Sequence, residues 1–86
     1  MIDVEARPGP DGWVCRVTVE SREGRTEHEV TVTPRDLERY GRGREPEDVV
    51  RSAFEFLLER EPAGSVLRRF ELSEIERYFP EYARLS

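Results

Sequence analysis

Residues 13–32 read WVCRVTVESREGRTEHEVTV, and this stretch decides the fold. Apolar and polar side chains alternate along both halves of it, with Val14 as the exception, and this is the pattern of strands with one buried and one solvated face. Residues 21–24 between the halves have the composition of a hairpin loop. A four-residue loop places Val17 opposite His28, whereas a six-residue loop places Val19 there.

A first strand is predicted before this hairpin. Ile2, Val4 and Ala6 alternate with charged residues, and the Pro-Gly-Pro-Asp-Gly segment that follows predicts a turn. Residues 1–33 are therefore expected to form a three-stranded antiparallel β-meander.

Helices are predicted after the meander. Thr33 and Pro34 have the residue types of an N-cap and a first helical position, so a short helix is expected near residues 34–40. Pro46 opens a main helix over residues 46–60, with a broad apolar stripe suited to packing on one face of the sheet. The stripe consists of Val49, Val50, Ala53, Phe54, Leu57 and Leu58, with Phe56 away from its centre.

The remainder is expected to return the chain to the core. Val66, Leu67 and Phe70 are the apolar residues of that return, which is expected to be either a turn of helix or a short extended piece. A Ser73–Glu76 capping-box pattern predicts a short last helix near 73–79. The fold class is thus α+β, a meander packed on one face by a main helix with short helices before and after it. The 86 residues are expected to form a single domain, 1–86, with the β-meander at 1–33 and a helical part at 34–86.

Composition excludes several classes of function. The net charge of −5 argues against general binding to nucleic acid or anionic membrane. Apolar runs fall short of the ~18 residues of a membrane span, and the N-terminus lacks the signal-peptide pattern. A single cysteine fits a reducing compartment, so a cytoplasmic location is expected. All fourteen basic residues are arginines, for which codon bias is favoured over a thermophilic source.

The C-terminal half carries the segments FLLEREP at 56–62 and YFPEY at 78–82. In these segments the chain resembles a family of small uncharacterised bacterial proteins. That resemblance implies a strand-first, helix-last domain and carries no known activity, cofactor or catalytic residue. A looser architectural likeness is to the HicB-like antitoxins, from which the chain departs because it has no DNA-binding segment of their type.

Catalytic and metal-binding residues are not indicated. Cys15 and His28 share the inner face, but as diagonal neighbours roughly 7–8 Å apart they are far for a nucleophile and its base. Both are interpreted as structural. One cysteine and one histidine cannot supply a metal cluster, and no cofactor is predicted.

Two segments are candidates for binding a partner. Tyr78, Phe79 and Tyr82 are aromatic residues of the kind that dominate protein interfaces, although they could instead seal a small core. The second segment is a local concentration of arginines that could contact phosphate, interrupted by acidic residues. It consists of Arg35, Arg39, Arg42 and Arg44.

The sequence therefore favours a non-enzymatic protein-binding or adaptor domain. It would act through the C-terminal aromatic segment or an edge strand, on an unknown protein partner or on a second copy in a homodimer. An antitoxin-like regulator is one alternative, and a nucleic-acid contact through the Arg35–Arg44 stretch is another.

Overall fold

The computed structural model describes residues 1–85, in which a four-stranded sheet packs its inner face against helices. Within these residues no helix is both long enough and apolar enough to cross a membrane. The elements are β1 (Ile2–Gly9), β2 (Gly12–Ser21), β3 (Gly24–Val32), α1 (Pro34–Asp36) with a π-helical turn (Leu37–Gly41), α2 (Pro46–Leu58), a 3-10 turn (Ala63–Ser65), β4 (Arg69–Glu71), α3 (Glu74–Tyr78) and α4 (Tyr82–Leu85).

The first three strands form the predicted meander. Ser21 pairs directly with Gly24 across the turn between β2 and β3. This register places Val17 opposite His28, as the shorter predicted loop requires. Alternate strand side chains are buried in the core, namely Val4, Cys15, Val17, Val19, His28, Val30 and Val32.

The return segment after α2 contains a short extended piece, one of the two predicted alternatives, but its pairing with the sheet as a fourth strand, β4, was not predicted. It pairs in parallel with β3, so that Phe70 lies beside Val30, and the sheet is mixed with the order β1-β2-β3-β4. The prediction of a three-stranded antiparallel meander is therefore correct for 1–33 and incomplete for the whole sheet. Three residues are too few to show a period-two pattern, which is why β4 is invisible in the sequence.

The chain leaves β3 through a capping box. Thr33 Oγ1 accepts a hydrogen bond from the backbone N–H of Asp36 at 3.0 Å, and Asp36 Oδ2 accepts one from the N–H of Thr33 at 3.2 Å. The predicted N-cap at Thr33 is thereby confirmed. The π-helical turn that follows ends at Arg42, whose φ of 51° is left-handed.

Helix α2 provides the centre of the core and ends two residues before the predicted boundary of 46–60. Most of its predicted stripe is buried, while Leu58 is half-buried. Phe56 is buried as well, because the rings of Phe79 and Tyr82 pack against it with centroids 5.8 Å and 5.1 Å away. The end of the chain therefore extends the core beyond the stripe that the sequence shows.

The predicted Ser73–Glu76 capping box is wrong, although helix α3 begins beside it at Glu74. Ser73 has helical backbone angles and its side chain caps nothing. The carboxylate of Glu76 instead accepts hydrogen bonds from the Tyr40 hydroxyl at 2.6 Å and from the Arg39 guanidinium at 2.9 and 3.2 Å. Tyr40 first, and then Arg39, lowers the pKa of the Glu76 carboxyl through these bonds, which join α3 to the π-helical turn.

The outer face of the sheet carries a row of alternating charges. Glu5, Arg16, Glu29 and Arg69 lie side by side across the four strands. Arg69 Nε is 3.5 Å from Glu29 Oε2. Opposite charges on neighbouring strands attract one another, so this face is hydrophilic and largely self-neutralised. The outer face of the sheet is therefore unsuited to apolar contacts with other molecules.

Gly12→Ala and Gly24→Ala form a matched pair of variants. They test how closely the turn between β1 and β2 packs against the end of β3. Both glycines have positive φ, 134° and 130°, so alanine is strained at either position by about 1–3 kcal/mol. At Gly12 an added Cβ would also clash with the carbonyl oxygen of Val32, whereas at Gly24 no atom lies within 4 Å of the added Cβ. In urea unfolding we expect Gly12→Ala to lose at least about 2 kcal/mol more than Gly24→Ala. Equal losses would contradict this packing.

Candidate docking groove

An apolar groove opens between the C-terminal end of α2 and the chain that runs through β4 into α3. Its volume is about 210 Å³. The side chains around it come from four separate elements, so it exists only in the assembled fold. Its apolar lining includes Leu57, Val66, Leu67, Phe70, Tyr78 and Phe79.

Two neighbouring residues divide between the core and the groove. Val66 has an extended backbone (φ −77°, ψ 136°), and successive side chains of an extended chain point in opposite directions. Val66 is accordingly buried, while Leu67 is 50% exposed at the groove. The prediction that Leu67 returns to the core is wrong for this reason, while those for Val66 and Phe70 are confirmed.

The imidazole of His28 holds this segment in place. Its Nδ1 is 2.8 Å from the carbonyl oxygen of Leu67, and its Nε2 is 2.9 Å from Thr26 Oγ1. Because a carbonyl oxygen can only accept, Nδ1 carries the proton, and in the neutral ring Nε2 accepts from the Thr26 hydroxyl. The ring also packs against Phe54 with centroids 5.1 Å apart. Burial lowers the pKa of His28, and the positive charge of the nearby Arg68 lowers it further. The hydrogen bond to Leu67 acts in the opposite direction but does not cancel the effect of burial.

The charged side chains that line the groove are acidic. They are Glu61 and Glu74, and neither forms an ion pair within residues 1–85. Glu74 is held in position because its Oε2 accepts a hydrogen bond from the backbone N–H of Glu71 at 2.8 Å. The groove therefore combines an apolar floor with two carboxylates available to a cation.

The predicted aromatic segment is divided between the groove and the core. Tyr78 is 68% exposed, and Phe79 is half-buried with its ring edge-on to Phe56. Tyr82 is buried, where its ring stacks on Tyr40 with centroids 5.2 Å apart. Tyr78 and Phe79 thus line the groove, and Tyr82 is part of the structure that supports it.

Two of the four arginines of the 35–44 stretch, Arg39 and Arg44, are engaged by other groups of the fold. Arg44 donates to the carbonyl oxygens of Gly41 and Tyr40 at 3.0 and 3.2 Å, which closes the π-helical turn. Arg39 is engaged with Glu76. Arg35 and Arg42 are exposed and form no ion pair with the part of the chain that the structure describes. These two remain the cations of the stretch that a phosphate could reach.

Cys15 and His28 do not contact each other as a catalytic pair. Cys15 is fully buried opposite Val30, and both ring nitrogens of His28 are engaged by other groups. Burial, with a smaller contribution from Glu47, raises the pKa of the Cys15 thiol to about 11. Among residues 1–84, no group of three or more His, Cys, Asp or Glu side chains is placed to hold a metal ion.

Of the residues that line the groove, sequence reasoning singled out only Tyr78 and Phe79 for binding, and the exposed Leu67 and the acidic Glu61 and Glu74 are the most important of those it missed. A signal was present for Leu67, because it follows Val66 in a Pro-bounded, non-helical segment in which two successive side chains cannot both face inward. Nothing in the sequence distinguishes Glu61 and Glu74 from the other acidic residues, since their role depends on where β4 and α3 lie.

Comparison with known proteins returned no family model, no curated protein and no solved structure that matches the chain. The resemblances to the small bacterial family and to the HicB-like antitoxins therefore stay hypotheses. The groove is therefore the feature that bears most directly on function.

Cys15 is expected to be unreactive in the folded protein. A raised pKa and full burial both suppress the thiolate that attacks a disulfide reagent. Ellman's reagent should therefore modify Cys15 only as fast as the protein opens, and quickly in guanidinium chloride. Stoichiometric reaction within seconds under native conditions would contradict the structural role of this residue and revive a catalytic one.

Stability is expected to fall as the pH drops below about 6.5, the ordinary pKa of histidine. The folded-state pKa of His28 lies below that value, so the unfolded chain binds a proton that the folded protein rejects. The stabilisation from neutral His28 is complete above pH 6.5 and is lost as the pH falls toward the folded-state pKa. Urea unfolding at a series of pH values should show this slope in the wild type and not in His28→Gln. If the free energy of unfolding changed with pH in the same way in both proteins, His28 would not be the source of the slope.

Proposed function

We propose that this domain is a non-enzymatic protein-binding module that takes an apolar side chain of a partner into the groove. The supporting observation is where the exposed hydrophobic residues lie. Met1, Leu67 and Tyr78 are the large hydrophobic side chains that are strongly exposed among the residues whose side chains are described, and the last two border the same groove. Apolar concave surfaces edged by an exposed aromatic residue are typical of protein-binding sites.

The volume of the groove suits one anchoring side chain. A cavity of roughly 150 Å³ can hold benzene, so about 210 Å³ accommodates a phenyl ring or a branched aliphatic side chain. The floor is preformed because Val66, Phe70 and Ile75 are buried. A site of this size supports a small interface and a transient complex.

The charge of the groove specifies the partner further. Glu61 and Glu74 lie beside the apolar floor without an ion pair in the described chain, and the whole protein carries a net charge of −5. A partner segment with Lys or Arg next to its apolar anchor complements this site, and an acidic segment is repelled. We therefore propose a basic protein segment as the occupant.

The other functions considered from the sequence make different predictions about the same surfaces. An antitoxin-like regulator would use the groove as well, with a toxic enzyme as its partner. Nucleic-acid binding would instead depend on Arg35 and Arg42, and it would weaken steeply with salt. Homodimer formation through the groove would appear as a concentration-dependent increase in mass.

The proposal is tested by selecting ligands for the groove from a displayed library of random peptides. Wild-type protein is the target, and the double variant Leu67→Ser, Tyr78→Ser is the target for counter-selection. We expect enriched peptides to carry one aromatic or branched aliphatic residue with a Lys or Arg within two positions of it. By calorimetry, they should bind the double variant at least about tenfold more weakly, since hot-spot side chains are each worth about 1–2 kcal/mol or more.

Arg35→Ala is the matched control, because Arg35 is exposed and lies outside the groove. It should leave peptide affinity within about twofold of wild type, a change of roughly 0.4 kcal/mol. The double variant should remain folded because both side chains are largely exposed, and urea unfolding checks this point. The proposal is overturned if no peptide depends on Leu67 and Tyr78. It is also overturned if mixed-sequence RNA binds and Arg35→Ala abolishes that binding.

A further inference from the structure

Strand β4 forms one edge of the sheet and lies beside the groove. Phe70, the central residue of β4, lines the groove, and its two neighbours direct their backbone groups away from β3. The pairing with β3 uses the carbonyl of Arg68 and the N–H of Leu72, at 2.7 and 3.0 Å from their partners, together with both backbone groups of Phe70. In a parallel ladder the backbone groups of the intervening residues, Arg69 and Glu71, then face outward.

One of these outward groups is already occupied. The N–H of Glu71 donates to the Glu74 carboxylate at 2.8 Å. For the N–H and C=O of Arg69 and the C=O of Glu71, the structure of residues 1–85 shows no hydrogen-bond partner. An unpaired set of donor and acceptor groups at a sheet edge is a template for another strand.

We propose that the partner segment binds in an extended conformation and adds a fifth strand to the sheet along β4. This inference rests on the proposed function and specifies how the partner is held. The partner residue that lies beside Phe70 must project to the same face of the sheet as Phe70, because side chains of paired residues share a face. That face is the groove, so strand addition delivers one apolar anchor directly into it.

Glu74 has two roles in this arrangement. In the free protein its carboxylate covers the Glu71 N–H, which leaves only a short stretch of edge open and limits pairing between copies of the chain. In the complex the same carboxylate lies beside the entering strand, where it pairs with a Lys or Arg two positions from the anchor, because residues two apart in a strand share a face. Strand addition and the acidic side chains therefore select the same ligand. It is an extended segment in which an apolar residue and a basic residue, two positions apart, both face the groove.

The sharpest test is the pair Arg69→Pro and Arg69→Ala, measured with the peptides selected above. Proline lacks the N–H and is tolerated on edge strands where that N–H faces solvent, so the fold should survive. Alanine removes the side chain and keeps the N–H. We expect Arg69→Pro to weaken peptide binding at least about tenfold and Arg69→Ala to change it by less than about threefold, since the lost interactions are those of the backbone. Equal effects of the two variants overturn strand addition.

A second measurement keeps the proposal falsifiable if Arg69→Pro fails to fold. A series of peptides is methylated at one backbone nitrogen at a time, and a strand should be sensitive at alternate positions, each costing about fivefold or more where the N–H meets β4. Amide hydrogen exchange should slow at Arg69 when the unmodified peptide binds. A peptide that depends on Leu67 and Tyr78 but shows no alternation and no protection at Arg69 overturns strand addition and leaves the groove function standing. Absence of any such peptide overturns both.

Glu74→Gln tests the charge component separately. Glutamine keeps an oxygen that can accept from the Glu71 N–H, and it loses the negative charge. A basic peptide should bind this variant about three- to tenfold more weakly, whereas its norleucine-substituted form should bind both proteins equally, because only the first has a cation to pair with Glu74. An equal loss for the two peptides would show that Glu74 acts through the fold and would overturn its pairing role.

Discussion

The hydrogen bond between the His28 ring and the carbonyl oxygen of Leu67 ties the C-terminal half of the chain to the sheet. It fixes the backbone two residues before Arg69, where β4 begins, and so it helps to set the register in which β4 meets β3. It also orients the extended segment so that Val66 enters the core and Leu67 faces solvent. A neutral imidazole suits this position because it can be buried with both nitrogens satisfied, whereas a charged group would be costly there. This contact therefore helps to place both Val66, in the floor of the groove, and Leu67, at its rim.

The part of the fold that follows from local pattern was predictable from the sequence, and the part that depends on tertiary pairing was not. The meander and α2 are long enough for their periods of 2 and 3.6 to be read directly. Strand β4 is three residues long and is a strand only because β3 lies beside it. The capping-box pattern at Ser73 failed for a related reason, since Tyr40 and Arg39 compete for the Glu76 side chain that the box requires.

The groove shows the same division. Composition pointed to the segment from Tyr78 to Tyr82, but chemically similar side chains in it have opposite fates, Tyr78 exposed and Tyr82 buried. No local pattern separates them, because the difference arises from the turn between α3 and α4 that folds Tyr82 onto Tyr40 and Phe56. The acidic lining could not be identified from the sequence either, because Glu61 and Glu74 are brought beside the apolar floor only in the assembled fold.

The span of chain between the two partners of the His28 bond bears on how the molecule assembles. These residues are 39 positions apart, whereas the hairpins of the meander close over turns of two residues. Contacts between distant positions carry a larger loop-closure entropy, so β4 is expected to dock after the meander and α2 have formed. The groove would then be the last feature to appear during folding and the first to disappear during local opening. A chain whose folding is incomplete would display no groove, so under the proposed function partner capture would report that the domain is fully assembled.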